Sequence, residues 1–176
     1  MCMITGIRMI GSGDFSGAVA PSDQSSSRAI SRVQFETLIS DISARLIAVT
    51  SAQLGETIQW ALEAVRRFFS ADRCALLAVS DNLESVNVAY ISYADEVPHV
   101  SSELNLGILF PWVWGRALRG EVSVITTLAE LPPEAAEDRA HCEDMGTRSF
   151  ICIPIRVMSA TMHLIVIQAV YAEREW

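Results

Sequence analysis

Two groups of side chains in this sequence have types suited to chemistry. The first is the run His141, Cys142, Glu143 and Asp144, the residue types of a metal site or a nucleophilic thiol. Adjacent residues on a helix diverge, so only pairs at helical spacing converge, such as Glu137 with His141 or Asp138 with Cys142. A pair falls short of the closed tetrahedral set that a structural zinc needs. A Cys142 thiolate would lie at a helix C-terminus among Asp138, Glu143 and Asp144, where dipole and carboxylates alike oppose ionisation. The run is expected to be a solvated acidic helix face, with no metal and no catalytic residue.

The second group is aromatic. Tyr90, Tyr93, Phe110, Trp112 and Trp114 fall on segments able to surround a pocket, and aromatic walls with a few polar groups suit a small organic ligand. The same rings would also serve as plain core. Arg116, Arg148, His163 and Gln168 are the polar groups placed to reach inward. Gln168 interrupts an otherwise apolar strand, and a buried amide needs a partner from ligand, backbone or water. Arg148 has Glu143 and Asp144 as alternative partners. The expected ligand-binding set is Tyr90, Tyr93, Phe110, Trp112, Arg116, Arg148, His163 and Gln168.

The elements that must position these groups follow from periodicity. The Gly- and Ser-rich stretch from Gly11 to Ser27 lacks apolar periodicity, and residues 1–30 read as a flexible leader. Ser31 and Gln34 suit a capping box, after which Phe35, Leu38, Ile39, Ile42, Leu46 and Val49 mark one helix face. Leu54, Ile58, Ala61, Leu62, Val65 and Phe69 form the stripe of a second helix. Cys74 to Val79 is apolar without alternation, so it reads as a central strand, whereas Val86, Val88 and Tyr90 alternate in a less enclosed one. Tyr93 to Gly107 reads as a long connection bordering the ligand site.

Phe110 to Arg119 is a short helix with Pro111 in its first turn and Gly120 as its stop, and Val122 to Ile125 is a short edge strand. Pro132 and Pro133 open a helix running to about Asp144, which Gly146 ends. Ser149 to Ile155 and Met162 to Val170 are apolar on both faces and close enough in sequence, across Val157 to Thr161, to pair antiparallel. The expected sheet order is 2-1-5-4-3.

Composition narrows the function. With 176 residues, 51% of them hydrophobic and 19% charged, one apolar core is expected. A net charge of -8 disfavours a phosphate-tracking surface, so no nucleic-acid partner is expected. All 13 basic residues are Arg, which removes P-loop and Schiff-base chemistry because both need Lys. Cys2, Cys74, Cys142 and Cys152 form no CxxC pair and read as free thiols in a reducing compartment, Cys74 and Cys152 as buried apolar side chains. The apolar run from Val157 to Ala172 is broken by Ser159, His163 and Gln168, so no membrane insertion is expected. Met1 to Ile10 carries Arg8 and lacks a signal-peptide layout, which makes the expected location cytoplasmic.

The order of segments carries a family resemblance. FFSADRCALLAVS (Phe68 to Ser80), LNLGILFPWVWGRALRG (from Leu104), EVSVI (from Glu121) and LPPEAAEDRAHCEDMGTRSFICIPI (Leu131 to Ile155) together resemble the GAF domain family. The kind resembled is that of bacterial sensor histidine kinases and related signalling proteins, over roughly Phe35 to Ala169. The resemblance implies an α+β, PAS-like fold: an antiparallel sheet of five or six strands, two long N-terminal helices on one face and two short helices on the pocket face. It also implies a sensory or regulatory module that binds a small ligand, mediates dimerisation, or both.

In that family the last strand leads through a Trp into a long signalling helix, and this sequence stops at Trp176. Residues 31–176 are therefore expected to be a single sensory domain lacking that helix. Family members that bind cyclic nucleotides use a motif containing Lys, which is absent here. Others attach a bilin through a Cys that precedes a His, whereas here His141 precedes Cys142, so covalent attachment is not expected. A haem would have only His141 or His163. The cofactor stays unknown, and none is required by the sequence.

No phosphoacceptor helix or Asn- and Gly-rich ATP box is present. The chain is expected not to be an enzyme, any kinase activity lying in a separate domain. A homodimer through the N-terminal helices is expected, because Phe35, Leu38, Ile42 and Leu46 offer more apolar surface than one sheet covers. Two alternatives remain open: a GAF-fold enzyme of the free methionine sulfoxide reductase type, using pocket cysteines, and a degenerate domain acting as a structural spacer.

Overall fold

The structure, a computed structural model, describes residues 21–101, 105–157 and 161–176, with backbone alone for 21–31 and 161. Contacts divide the chain at Glu36 and Thr37 into two units. The first contributes the opening turns of helix α1 (Pro21–Ala48), with Arg32 paired to Glu36 one turn on. Of the leader expected over 1–30, residues 1–20 lie outside the described residues and the rest belong to α1, which begins ten residues before the Ser31 capping box. Pro21 is favourable as a first helical residue, and no Gly or Pro interrupts the chain after it.

The second unit is built on a five-stranded antiparallel sheet. A short 3₁₀ turn leads into α2 (Leu54–Phe68), followed by β1 (Arg73–Val79), β2 (Val86–Tyr93), α3 (Leu106–Leu109) and α4 (Pro111–Leu118). Then come β3 (Ser123–Ile125), α5 (Ala136–Asp144), β4 (Ser149–Val157) and β5 (Thr161–Ala169). The strand order is β2-β1-β5-β4-β3, as the apolar patterning predicts. Strands β1, β4 and β5 are covered on both faces, which is why their sequences do not alternate. The turn expected between β4 and β5 includes residues outside the described set.

Each face of the sheet carries its own core. On the back, α2 lays Ile58, Leu62 and Val65 against Cys74, Ile151 and Ile167, the stripe that its helical spacing marked. On the front, Ala75, Leu77, Phe150, Cys152 and Leu164 meet Val113 and Ala117 of α4 and Cys142 of α5. Within α1, Phe35, Ile39 and Leu46 are exposed and Ile47 is 87% exposed. From α1 the Arg45 guanidinium lies 3.9 Å from the centre of the Trp60 ring of α2.

One irregularity re-aims an edge strand. Leu76 faces Tyr90 but Leu77 faces Val88, so Ala89 is an extra residue bulging from β2. Beyond such a bulge the side-chain alternation flips face. Val88 and Ile91 therefore share the front face, while Tyr90 packs into the back core beside Gly55.

The long connection after β2 is fastened by Asn105. Its Oδ1 accepts from the amides of Gly107 and Val86, both at 3.1 Å, and its Nδ2 donates to Glu84 O at 3.0 Å. The side chain thus caps α3 and satisfies an edge strand at once. Asn105→Ala is expected to lower the unfolding free energy by about 1–2 kcal/mol in urea titration. A loss near zero would show that this anchor contributes nothing.

Candidate functional site

The front core holds a cavity of about 80 Å³ between β1, β2, β4 and β5 below and α3, α4 and α5 above. Its walls include Ala75, Leu77, Val88, Ile91, Phe110, Val113, Trp114, Phe150, Cys152 and Leu164, with Gln168 as the strongly polar contributor. That is far more room than one water needs, about 10–15 Å³, and well below the roughly 300–1,000 Å³ of drug-sized pockets. A small ring or short chain matches its size and lining. Gly107 also lines the cavity, and a Cβ there would meet Val86 Cγ2 at 3.1 Å.

The covering helices are held by a buried carboxylate. Phe110 cannot cap α4, and the first free amides of that helix are taken instead by Asp138 of α5. Trp112 N donates to Oδ2 at 3.1 Å and Val113 N to Oδ1 at 2.9 Å. Burial raises the Asp138 pKa, against the lowering effect of those two hydrogen bonds. The carboxylate joins α4 to α5 as one lid over the sheet.

Behind the cavity wall, next to Met145 and Gln168, lies a buried cation that does not itself line the cavity and that the sequence analysis does not single out. Arg73 is 1% exposed, and its Nη2 donates to Met145 O at 2.7 Å. Nε and Nη1 have no hydrogen-bond partner. Arg73 opens β1 directly across from Gln168 on β5 and Tyr93 on β2. Its parity with Ala75 and Leu77 is the sequence signal for an inward side chain, but the apolar run that marks the strand begins only at Cys74.

The eight expected ligand residues separate clearly. Phe110 and Gln168 line the cavity, Gln168 with its Nε2 donating to Thr147 Oγ1 at 3.3 Å. Tyr93 stacks on His99 at 4.2 Å and accepts from Val100 N at 3.0 Å, so it fastens a loop residue that lines the cavity. The other five are not among the lining residues. Tyr90 is displaced to the back core by the bulge, and His163 has the opposite strand parity to Leu164 and Val166. Trp112 packs beside the front core with Arg116 5.1 Å from its ring centre. Arg116 is turned to the sheet edge, donating to Ser123 Oγ and Val122 O and pairing with Glu121 at 3.2 Å. Arg148 is exposed at the start of β4. Trp114, the fifth ring of the aromatic group, lines the cavity.

The run His141 to Asp144 is split by the helix. Cys142 faces the cavity and is 2% exposed, while Glu143 and Asp144 are exposed and His141 Nδ1 lies 2.9 Å from Glu137 O. Among the described residues no group of His, Cys, Asp and Glu is arranged to hold a metal ion. Burial pushes the Cys142 thiol up to about 12, with Asp138 and Glu143 adding to the effect. Burial alone takes Cys152 up to about 12, and Cys74 reaches about 12 despite Arg66. At neutral pH all three are therefore thiols. Iodoacetamide is expected to label Cys74, Cys142 and Cys152 of the native protein on the order of a thousandfold more slowly than in guanidinium chloride. Rapid native labelling of Cys142, read by peptide mass spectrometry, would contradict this placement.

Comparisons with known proteins agree with this architecture. The chain is similar to the phycocyanobilin-bound GAF domain from a cyanobacterial phytochrome, at 17% identity over 80% of this chain and 82% of that one, with a TM-score of 0.67. It is similar to the phycoerythrobilin-bound GAF domain from a cyanobacterial phytochrome, at 16% identity, 82% and 86% coverage and a TM-score of 0.67. The blue-light absorbing form of the Thermosynechococcus elongatus PixJ GAF domain gives 17% identity, 90% and 78% coverage and a TM-score of 0.52. Such identities establish a shared fold. No curated protein matches. The GAF domain family model matches residues 53–174, and the chain belongs to that family.

Proposed function

We propose that this chain is a sensory module that binds a small, largely apolar molecule in the front-face cavity. The observation that carries the reading is the apolar cavity in the front core beneath a lid of two clipped helices. Occupancy would favour one arrangement of that lid over another, and only a ligand that distinguishes the two arrangements can signal. The output partner suggested by the sequence resemblance is a two-component sensor histidine kinase of a bacterium, with catalysis in a separate domain.

We further propose a cytoplasmic homodimer through α1. Exposed Ile39, Leu46 and Ile47 supply an apolar surface for a second copy. Among the described residues no helix is long and apolar enough to cross a membrane.

The bilin reading has one observation in its favour, because Cys142 and Cys152 both line the cavity as they would for a thioether-linked chromophore. Two others oppose it. Both thiols are held as thiols, and about 80 Å³ is too little for an open-chain tetrapyrrole. The same protonation argues against a methionine sulfoxide reductase, whose attacking cysteine must become a thiolate. The chain is accordingly proposed to bind and not to catalyse.

Native mass spectrometry with an absorbance scan of the purified full chain is the test. A noncovalent, colourless adduct on a dimer is expected. A visible-absorbing covalent adduct on Cys142 would favour the chromophore reading, and failure to bind any small apolar molecule would leave the domain a spacer.

A further inference from the structure

The buried cation beside the cavity has no assigned task. An ion taken from water into a protein interior is costly unless hydrogen bonds and countercharge replace its hydration. Arg73 has one hydrogen bond, to the Met145 carbonyl, and two nitrogens with no partner. The carboxylate that acts on it electrostatically is Asp72. Yet Asp72 Oδ2 is committed to the amides of Val170 at 2.6 Å and Tyr171 at 3.2 Å. The arrangement is a guanidinium with unused donors in a low-dielectric site.

The location of those donors is informative. Met145, which Arg73 touches, and Gln168, which it faces across the β1–β5 ladder, both line the cavity. Arg73 shares its strand face with Ala75 and Leu77, two further wall residues. Gln168 Nε2 spends one N–H on Thr147 Oγ1 and keeps a second. The cavity is thus apolar over most of its lining with the Gln168 amide as its donor, and the Arg73 guanidinium lies directly behind Met145 and Gln168 without itself lining it. Because the whole chain carries a net charge of -8, attraction of an anion must come from this local group.

We propose that the ligand is a small apolar acid, its carboxylate received by Arg73 and Gln168 and its hydrocarbon part lying among Leu77, Phe110, Phe150 and Leu164. This deepens, and rests on, the reading of the cavity as a binding pocket. A carboxylate supplies the acceptors that Nε and Nη1 lack, and it removes the uncompensated charge. Burial lowers the Arg73 pKa, with Tyr93, Asp72 and Tyr171 opposing that shift. A guanidinium starts so far above neutrality that it stays charged at pH 7.

The test uses three ring compounds that differ only in their head group: toluene, benzamide and benzoate, titrated at pH 7 into the full chain and followed by amide chemical shifts. Toluene reports whether the cavity admits a ring at all. Benzoate is expected to bind at least tenfold more tightly than benzamide, and Arg73→Met is expected to erase that ratio. Should Arg73→Met fail to fold, Arg73→Gln serves in its place, and the acid-to-amide ratio of the unaltered protein decides on its own. Toluene binding with equal affinities for benzoate and benzamide would overturn the carboxylate proposal while leaving the pocket standing. A preference that survives loss of the guanidinium would also overturn it. No binding of any of the three would overturn both the pocket and the acid.

Discussion

The front face of this protein depends on a carboxylate that caps a helix it does not belong to. Helix α4 starts directly after Phe110, with no side chain of its own to receive its first amides. Buried without partners, each would cost about 1–3 kcal/mol. Asp138 reaches from α5 to take two of them, and it is itself fully enclosed. Because α4 and α5 are joined through that group, they cover the sheet as a pair. Cys142, one turn after Asp138 on α5, consequently points toward the sheet, not toward solvent as a reading of its acidic neighbours suggests.

Much of this fold was legible because both-face apolar runs mark central strands. Cys74 to Val79, Ser149 to Ile155 and Met162 to Val170 carry that pattern, and Pro111, Gly120 and Gly146 mark helix ends. The left-handed backbone of Gly120 and Gly146, φ +77° and +71°, accounts for the glycines there. Facing was harder to read. When both faces of a strand are apolar, alternation no longer tells front from back, so His163 and Gln168 looked equivalent although they lie on opposite sides. In β2 the alternation was visible, but the Ala89 bulge reversed it between Val88 and Tyr90. A bulge adds one residue without altering composition, and nothing in the local sequence announces it.

Charged residues misled for a related reason. Arg116 and Arg148 sit on short elements near the expected pocket, yet their helices and strands turn them toward an edge and toward solvent. Arg73 lies at a strand start, where a charge normally marks the approach to solvent. Only the pairing of Arg73 with Gln168 and Tyr93 brings it inside.

The central claim is that the front core holds an open apolar cavity. A crystal structure of the chain under xenon pressure tests this most directly, since a heavy, apolar atom occupies empty apolar space and little else. The account predicts xenon between Leu77, Val113, Phe150 and Leu164. A front face closed by Trp114 and Phe150, with no xenon beneath α4, would contradict it.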